Sequence, residues 1–489
     1  MYCQLEALRH CLPPSVRGIL DDLPETLDET YGRVLREINK ANREHAHRLL
    51  QCLTVALRPL RVEELAEVLA IDFDAAAHVG IPQFNPSWRW ADHHQAVLST
   101  CSSLISIVDD GDFKVVQFSH YSVKEFLASD RLARSSGDVS RYHIFLEPAH
   151  TILAQACLGV LLRLRLDDRG YMTNEDDTPL VKYAARHWFD HAQFENVASL
   201  IRDAMVYFFD ADKQHWEPWG RVQWIDEEWQ YFGSGEVMGA SPLYYASLGG
   251  FYDLAEHLVG KHPEHINARG GLMQTPLVAA LGGRHFELAE LLHRHGAEVD
   301  VRDSTGSTPL SAVCNNDDPD MVRWLLNHGA DVNVQTTIGL YSPLHLAVLC
   351  QRHQIVQILL EHNANIHSRN EFGATPLHRT ASPWFDCDPI DLMQPLLDHG
   401  ADPNARDDDG STPLHYSSWC KKGYRENTGT AEGTRLLLKY GAIIDVENYE
   451  GRTPLQLALE HGRQDIVACL SEHGATRRNQ AFTGFRTRS

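Results

Sequence analysis

Gly373-Ala-Thr-Pro-Leu-His378 is one of seven versions of a single phrase. The triplet at its centre also stands as Ser241-Pro242-Leu243, Thr275-Pro276-Leu277, Thr308-Pro309-Leu310, Ser342-Pro343-Leu344, Thr412-Pro413-Leu414 and Thr453-Pro454-Leu455, with prolines 34, 33, 34, 33, 37 and 41 residues apart. Self-similarity at a fixed period near 33 residues marks a stack of like units. Each unit spells two helices. Thr375 suits an N-cap, because its hydroxyl can accept from an orphan amide of the first turn, and Pro376 has no amide to lose and a preset φ. Ile355-Val-Gln-Ile-Leu-Leu360 and Met321-Val-Arg-Trp-Leu-Leu326 place apolar residues three and four apart, so the second helix buries one stripe. His295-Gly296-Ala297, His328-Gly329-Ala330, His399-Gly400-Ala401 and His473-Gly474-Ala475 end it, glycine taking the left-handed C-cap conformation. Asp331-Val-Asn333, Asp402-Pro-Asn404 and Gly410 then turn the chain through a finger into the next unit.

The Thr-Pro-Leu-His opening at this period resembles the ankyrin repeat family. The resemblance implies a solenoid scaffold in which no repeat buries its apolar face alone and stability comes from stacking neighbours. The triplets, the leucine pairs and the His-Gly-Ala ends read as structural, and the histidines before glycine as helix-end residues, not metal ligands. The 37-residue unit carries extra residues around Ser382 to Pro389 and the 41-residue unit around Lys421 to Gly433. Such insertions are expected to emerge as loops on one face.

At 489 residues, 43% hydrophobic and 22% charged, the chain has the composition of a folded protein with more than one unit. A formal charge of -22 argues against a general nucleic-acid or anionic-membrane binder, since those need clustered Lys and Arg. The ten cysteines lie at 3, 11, 52, 101, 157, 314, 350, 387, 420 and 469 with no C-x-x-C pair, which fits reduced thiols better than zinc or a disulfide framework. Met1 to Leu12 is too polar for a secretory signal, and the apolar run Ile152 to Leu162 is too short to cross a bilayer. The expected location is intracellular, in the cytoplasm or the nucleus, with no membrane partner.

Towards the N-terminus, Leu5, Leu8 and Leu12 share a helical face stopped by Pro13-Pro14. Thr26-Leu-Asp-Glu29 is a capping box opening a helix whose buried stripe is Leu27, Tyr31, Val34, Leu35 and Ile38. Further helices are predicted near His45 to Leu57, Val62 to Leu69 and Gln95 to Ser102. Leu104 to Val108 and Phe113 to Phe118 then flank Asp109-Asp-Gly-Asp112 as a β-hairpin. Helices with a hairpin in this order make a winged-helix unit. Leu23-Pro-Glu-Thr-Leu-Asp-Glu-Thr-Tyr31, Arg58-Pro-Leu-Arg-Val-Glu-Glu-Leu65 and Val116-Gln-Phe-Ser-His-Tyr-Ser-Val-Lys-Glu-Phe126 resemble the GPI-inositol-deacylase-like winged helix that follows the NACHT module in fungal STAND proteins. The resemblance covers about 1 to 235 and implies a role in signalling and non-self recognition. The phosphate loop of a NACHT module, ending in Gly-Lys-Ser/Thr, is missing from this sequence, so nucleotide hydrolysis is not carried over. The chain begins almost where the family's NTPase ends, as expected of a paralogue without its motor or of a truncated gene model.

From Arg141 to about Gly235 helices are expected at Thr151 to Leu164 and Val181 to His191, with Thr178-Pro179-Leu180 as a degenerate repeat or cap. Trp216, Trp219, Trp224 and Trp229 could form a ligand cage, but they read as core at the junction between the winged helix and the first repeat. The expected fold is mainly α: an ankyrin-repeat solenoid at 239–476, preceded by a helical remnant at 1–44, a winged-helix (α+β) domain at 45–135 and a helical connector at 136–238. A disordered tail is expected at 477–489.

No catalytic pattern stands out: neither G-x-S-x-G, nor H-E-x-x-H, nor H-x-E with P-C-x-x-C, nor G-x-G-x-x-G after a strand. The sequence therefore reads as a non-enzymatic, cofactor-free, monomeric scaffold or adaptor for another protein. The alternatives are the sensor half of a STAND NTPase switch and a DNA-binding winged helix, the latter opposed by the acidic wing. Finger tips and exposed sides of first helices are left free by stacking, which makes Tyr341, Phe372, Asp408, Asp409, Trp419 and Tyr449 the candidate partner-binding residues. The aromatics are hot-spot residue types, and the acids favour a partner with a basic patch.

Overall fold

The computed structural model describes residues 27–73, 82–101, 103–135, 137–164, 179–210, 215–216, 219, 240–271, 273–303, 306–381, 390–419 and 431–476. The readings of Leu5 to Leu12, of the Thr26 cap, of Thr178, Trp224 and Trp229, of both repeat insertions up to 430 and of the tail fall outside these residues. The chain divides into two compact units, Met1–Gly296 and Ala297–Ser489.

The first unit opens with α1 (Leu27–Glu37), α2 (Arg43–Val55), β1 (Leu60–Arg61), α3 (Val62–Val68), β2 (Ile71–Asp72), β3 (Gln83–Phe84), α4 (His93–Cys101), β4 (Ile105–Asp110) and β5 (Phe113–Phe118). This is the winged-helix order. Its three-stranded antiparallel sheet runs β1-β5-β4, with Val116 opposite both Leu60 and Ile107. Two-residue β1 is too short to show the alternation that marks a strand, and the sequence reading did not find it. The hairpin loop is also tighter than expected. Asp110 pairs with Phe113 and Asp109 with Lys114, so only Gly111 and Asp112 form the tip, and Gly111 takes φ +60. Ladder hydrogen bonds use the backbone, so acidic side chains did not stop the strand. At α1, Leu27 is exposed rather than part of the buried stripe, whose anchors are Tyr31 and Leu35. Leu27 is the first residue of the helix.

Two carboxylates lie inside this domain, each with a guanidinium partner. Glu64 accepts two bonds from Arg58, at 2.8 and 2.6 Å, and one from the Arg61 amide at 2.8 Å. Glu67 pairs with Arg89 and accepts the Leu180 amide at 2.8 Å. The second tie crosses from the winged helix to the connector. A buried carboxylate is tolerated only when its lone pairs are met in this way.

After α5 (Tyr121–Leu127) and α6 (Asp130–Ala133), the connector consists of α7 (Leu146–Leu161), α8 (Leu180–Ala192), α9 (Val197–Leu200) and α10 (Arg202–Phe208). Pro179 precedes α8 as a proline opens each repeat. Yet α8 runs thirteen residues, against five to eight for the first helices of the repeats, and it packs on α7. Helices α11 (Pro242–Leu248), α12 (Tyr252–Lys261), α13 (Pro276–Gly282) and α14 (Phe286–Arg294) complete the unit as two hairpins. Trp219 is fully buried among them. Its ring lies 5.5 Å from Trp188 and 4.9 Å from Tyr245, and its indole N–H donates to the Ala185 carbonyl at 3.0 Å. With Phe189, Phe208 and Phe209 around it, the core reading of the tryptophans holds at Trp219.

The second unit contains five helix pairs among its described residues: α15 (Pro309–Asn316) with α16 (Pro319–Asn327), α17 (Pro343–Leu349) with α18 (His353–Glu361), α19 (Pro376–Thr380) with α20 (Ile390–Asp398), α21 (Pro413–Ser418) with α22 (Ala431–Lys439), and α23 (Pro454–Glu460) with α24 (Gln464–Glu472). The last insertion was read as reaching Gly433, but α22 already begins at Ala431, and Gly433 and Thr434 are buried. Second helices bury the expected stripe, as with Ile355, Ile358 and Leu359 in α18. Where a histidine precedes the terminal glycine it serves the helix end: Nδ1 of His328, His399 and His473, and of His295 in the first unit, lies 2.7–2.8 Å from the carbonyl four residues back. The backbone amide of the same histidine donates to that carbonyl as well, at 3.1–3.3 Å, so the ring adds a second bond at the helix end.

Candidate functional site

Between the helix pairs of the second unit run the fingers, and three kinds of hydrogen bond tie neighbouring fingers from Gln335 onward, the second kind reaching back to Arg302. The first uses the histidine of Thr-Pro-Leu-His. Nδ1 of His345, His378 and His415 accepts the amide of Ser342, Thr375 and Thr412 at 3.3, 3.1 and 3.1 Å. Nε2 then donates to the carbonyls of Ala374, Ser411 and Arg452 in the following finger, at 3.0, 3.1 and 3.1 Å. With the proton on Nε2, the Ser and Thr hydroxyls donate to Nδ1 at 2.8–2.9 Å, so these threonines do more than cap an amide. Burial pushes His345 and His378 down to about 4 and lowers His415. These histidines are neutral structural bridges.

The second tie is a side-chain ladder. Arg302 donates to the Gln335 carbonyl at 3.1 Å, Gln335 to Arg369 at 2.8 Å, Arg369 to Arg406 at 2.9 Å, and Arg406 to Glu447 at 2.9 Å. The third joins the finger tips through backbone. The Glu371 amide donates to Gly339, Asp408 to Phe372 and Tyr449 to Asp409, at 2.9, 3.0 and 3.0 Å. Gly373 and Gly410, at φ +72 and +71, let the next finger approach. A Cβ on Gly410 would fall 2.8 Å from the Tyr449 ring, and one on Gly373 would collide with the Asp408 carboxylate.

The six candidate residues divide on this frame. Tyr341, Phe372, Asp408, Asp409 and Tyr449 all lie on fingers. Phe372 is 59% and Tyr449 72% exposed, while Tyr341 is half-buried with its edge towards His345. Asp408 pairs with Arg369 at 3.3 Å, and Asp409 is exposed. Trp419 stands apart, at the C-terminal end of α21, in edge contact with His461 at 5.9 Å. A finger lies at the N-terminal end of each first helix, so Trp419 is one helix length from the finger row. Ile338 and Leu340, 71% and 44% exposed on the finger before Phe372, went unnoticed in the sequence. Their signal was an extra residue: Ser342 comes seven positions after Gln335, whereas Thr375 comes six after Arg369.

Among the described residues no group of three or more His, Cys, Asp or Glu could hold a metal, and no helix is long and apolar enough to cross a membrane. Cys52, Cys157 and Cys314 are fully buried, and burial raises all three thiols above their ordinary value. The side chain of Cys469 is buried as well, and Cys350 is half-buried.

The chain is thus a mainly helical protein with a winged-helix domain followed by an ankyrin-repeat solenoid. Residues 243–336, 277–370 and 385–480 match the family described as ankyrin repeats, and residues 35–137 match that described as GPI inositol-deacylase, winged helix domain. A fungal relative, "Azaphilone pigments biosynthesis cluster protein L" of Monascus ruber, is 28% identical over 278 residues, covering 53% of this chain and 57% of its own. The chain therefore spans little more than half of that relative. The solved ankyrin repeat domain of Bcl-3, a member of the IkappaB protein family, is 27% identical, with a TM-score of 0.41 over 48% of this chain and 99% of that one. Ankyrin repeats indicate a scaffold for protein–protein interaction, and the fold is typically non-enzymatic.

Proposed function

We propose that this protein is a non-enzymatic adaptor, working as a monomer in intracellular signalling or non-self recognition, whose finger row takes a protein partner with a basic patch. The observation that carries this reading is the division of labour in the fingers. Their His, Arg and Gln side chains are engaged in bonds between repeats, while Phe372, Asp409 and Tyr449 point to solvent from a hydrogen-bonded frame. Exposed aromatics on a rigid support have the character of binding hot spots. The parts proposed are a helical remnant at 1–44, the winged helix at 45–135, the connector at 136–238, the repeats at 239–476 and a tail at 477–489.

Nucleic acid is not the proposed partner. Helix α4, which holds the DNA-reading position of a winged helix, has no Lys or Arg, and the wing carries Asp109, Asp110 and Asp112. The match of residues 35–137 also favours a second reading, in which the chain is the sensor half of an NTPase switch. Co-purification with a separate nucleotide-binding chain would support that one.

Site-specific photo-crosslinking in cells tests the first reading. A crosslinker at Phe372 should yield one defined protein adduct, and one at Gln357, exposed on a second helix, should not. Adducts at both positions, or at Gln357 alone, would contradict it.

A further inference from the structure

Among the described residues, seven that are not glycine have positive φ: Glu195, Gln274, Arg284, Asp317, Leu340, Gln351 and Asn363. Leu340, at φ +50, is the apolar one. A leucine pays a steric penalty in this region, where Cβ crowds the backbone, and residues kept there need the surroundings to over-determine them. The surroundings do so. Thr336 donates its hydroxyl to the Ile338 carbonyl at 2.8 Å and accepts the Tyr341 amide at 3.1 Å, the Thr336 amide donates to the Tyr341 carbonyl at 3.0 Å, and Gln335 holds the Leu340 carbonyl at 2.8 Å. The outcome is a finger one residue longer than its neighbours that presents Ile338 and Leu340 to solvent.

Beside it stands Phe372, on a finger tied to Gly339 through the Glu371 amide at 2.9 Å. Three large apolar side chains therefore share two joined finger tips. The two fingers that follow, 369–373 and 406–410, carry Arg369 and Arg406 against Glu371, Asp407, Asp408 and Asp409. Both arginines donate to the carbonyls of the next finger, and Asp407 is buried against the Tyr416 hydroxyl at 2.8 Å. The outward balance beside the apolar tips is acidic.

Resting on the reading of the finger row as a protein-binding surface, we infer that Ile338, Leu340 and Phe372 form its anchor site, taking a protein segment with large apolar side chains flanked by Lys or Arg. The apolar anchors fill the space over the two tips, and the cations lie against Glu371 and Asp409. Leu340 keeps an unfavourable backbone because the surface, and not the fold, requires a large side chain there.

A phage-displayed library of random peptides panned on the full chain tests this, with the enriched sequences made as synthetic peptides and measured by fluorescence anisotropy. Enriched peptides should combine apolar residues with Lys or Arg and lose about tenfold or more in affinity for Ile338→Ser with Phe372→Ser. Leu340→Gly should also weaken them, while its thermal midpoint stays level or rises. Acidic enriched peptides, or affinity unchanged in these variants but lost in Tyr449→Ala, would overturn the anchor site and leave the finger-row reading standing. Binding insensitive to every finger substitution would sink both. A fall in the midpoint of Leu340→Gly would show that Leu340 is packing.

Discussion

The core around Trp219 and the repeats from Thr308 onward solve one problem in opposite ways. The first is built once: an indole among Trp188, Phe208, Phe209 and Tyr245, satisfied by a carbonyl 34 positions away in sequence. The second is written repeatedly, with the same histidine bridge at 345, 378 and 415 and a side-chain ladder from 302 to 447. A unique core fails or survives as a whole, whereas a periodic array loses stability by increments spread over neighbouring units.

The contrast is broken hardest at Trp219. Trp219→Ala should cost about 3–5 kcal/mol, as removal of a buried aromatic does, and should lower the urea midpoint of the first unit. A loss no larger than that of an exposed substitution would show that the indole is not its keystone. Leu359→Ala, at a fully buried position of α18, should cost about 2–5 kcal/mol. Hydrogen exchange should then show protection lost in the helices flanking α18 as well, and loss confined to α18 would contradict coupling between repeats.

Acid acts on the repeats through their buried histidines. His345 and His378 are held near 4 when folded, against an ordinary value of 6.5. Between those values the unfolded chain binds protons that the folded chain refuses, so the stability these groups give is present above about 6.5 and is lost as pH falls towards 4. The thermal midpoint of the second unit should drop across that window. Gln456 fills the same position in the last described repeat and accepts the Thr453 amide at 2.8 Å without titrating near neutrality. His345→Gln with His378→Gln should therefore flatten the pH profile, and an unchanged slope would assign it to other groups. Arg369→Met, which removes one rung of the ladder, should cost about 0.5–1.5 kcal/mol.

What the sequence disclosed follows the same division. Periodic features announce themselves, because seven prolines in step carry the information together, and the winged helix was readable from helix stripes and a hairpin. The ladder was hidden, since Arg302, Gln335, Arg369 and Arg406 look like ordinary surface residues until the fingers are stacked. So was β1, whose two residues owe their conformation to pairing with β5 and not to local pattern. Of the candidate site, Phe372 and Tyr449 were legible as finger residues by counting from the prolines. Trp419 was read as a free position on a finger or a first helix, and its place at the end of α21 depends on where that helix stops. Leu340 required a backbone angle that no composition reveals.

The smallest effect on stability belongs to the variant that bears most on function. Phe372→Ala with Tyr449→Ala removes two exposed rings and should move the thermal midpoint very little. Calorimetry with the protein captured by the crosslinker at Phe372 is the most direct measurement: the double variant should bind that partner about tenfold or more weakly at an unchanged midpoint. Affinity equal to that of the unsubstituted chain would contradict the finger row as the binding surface.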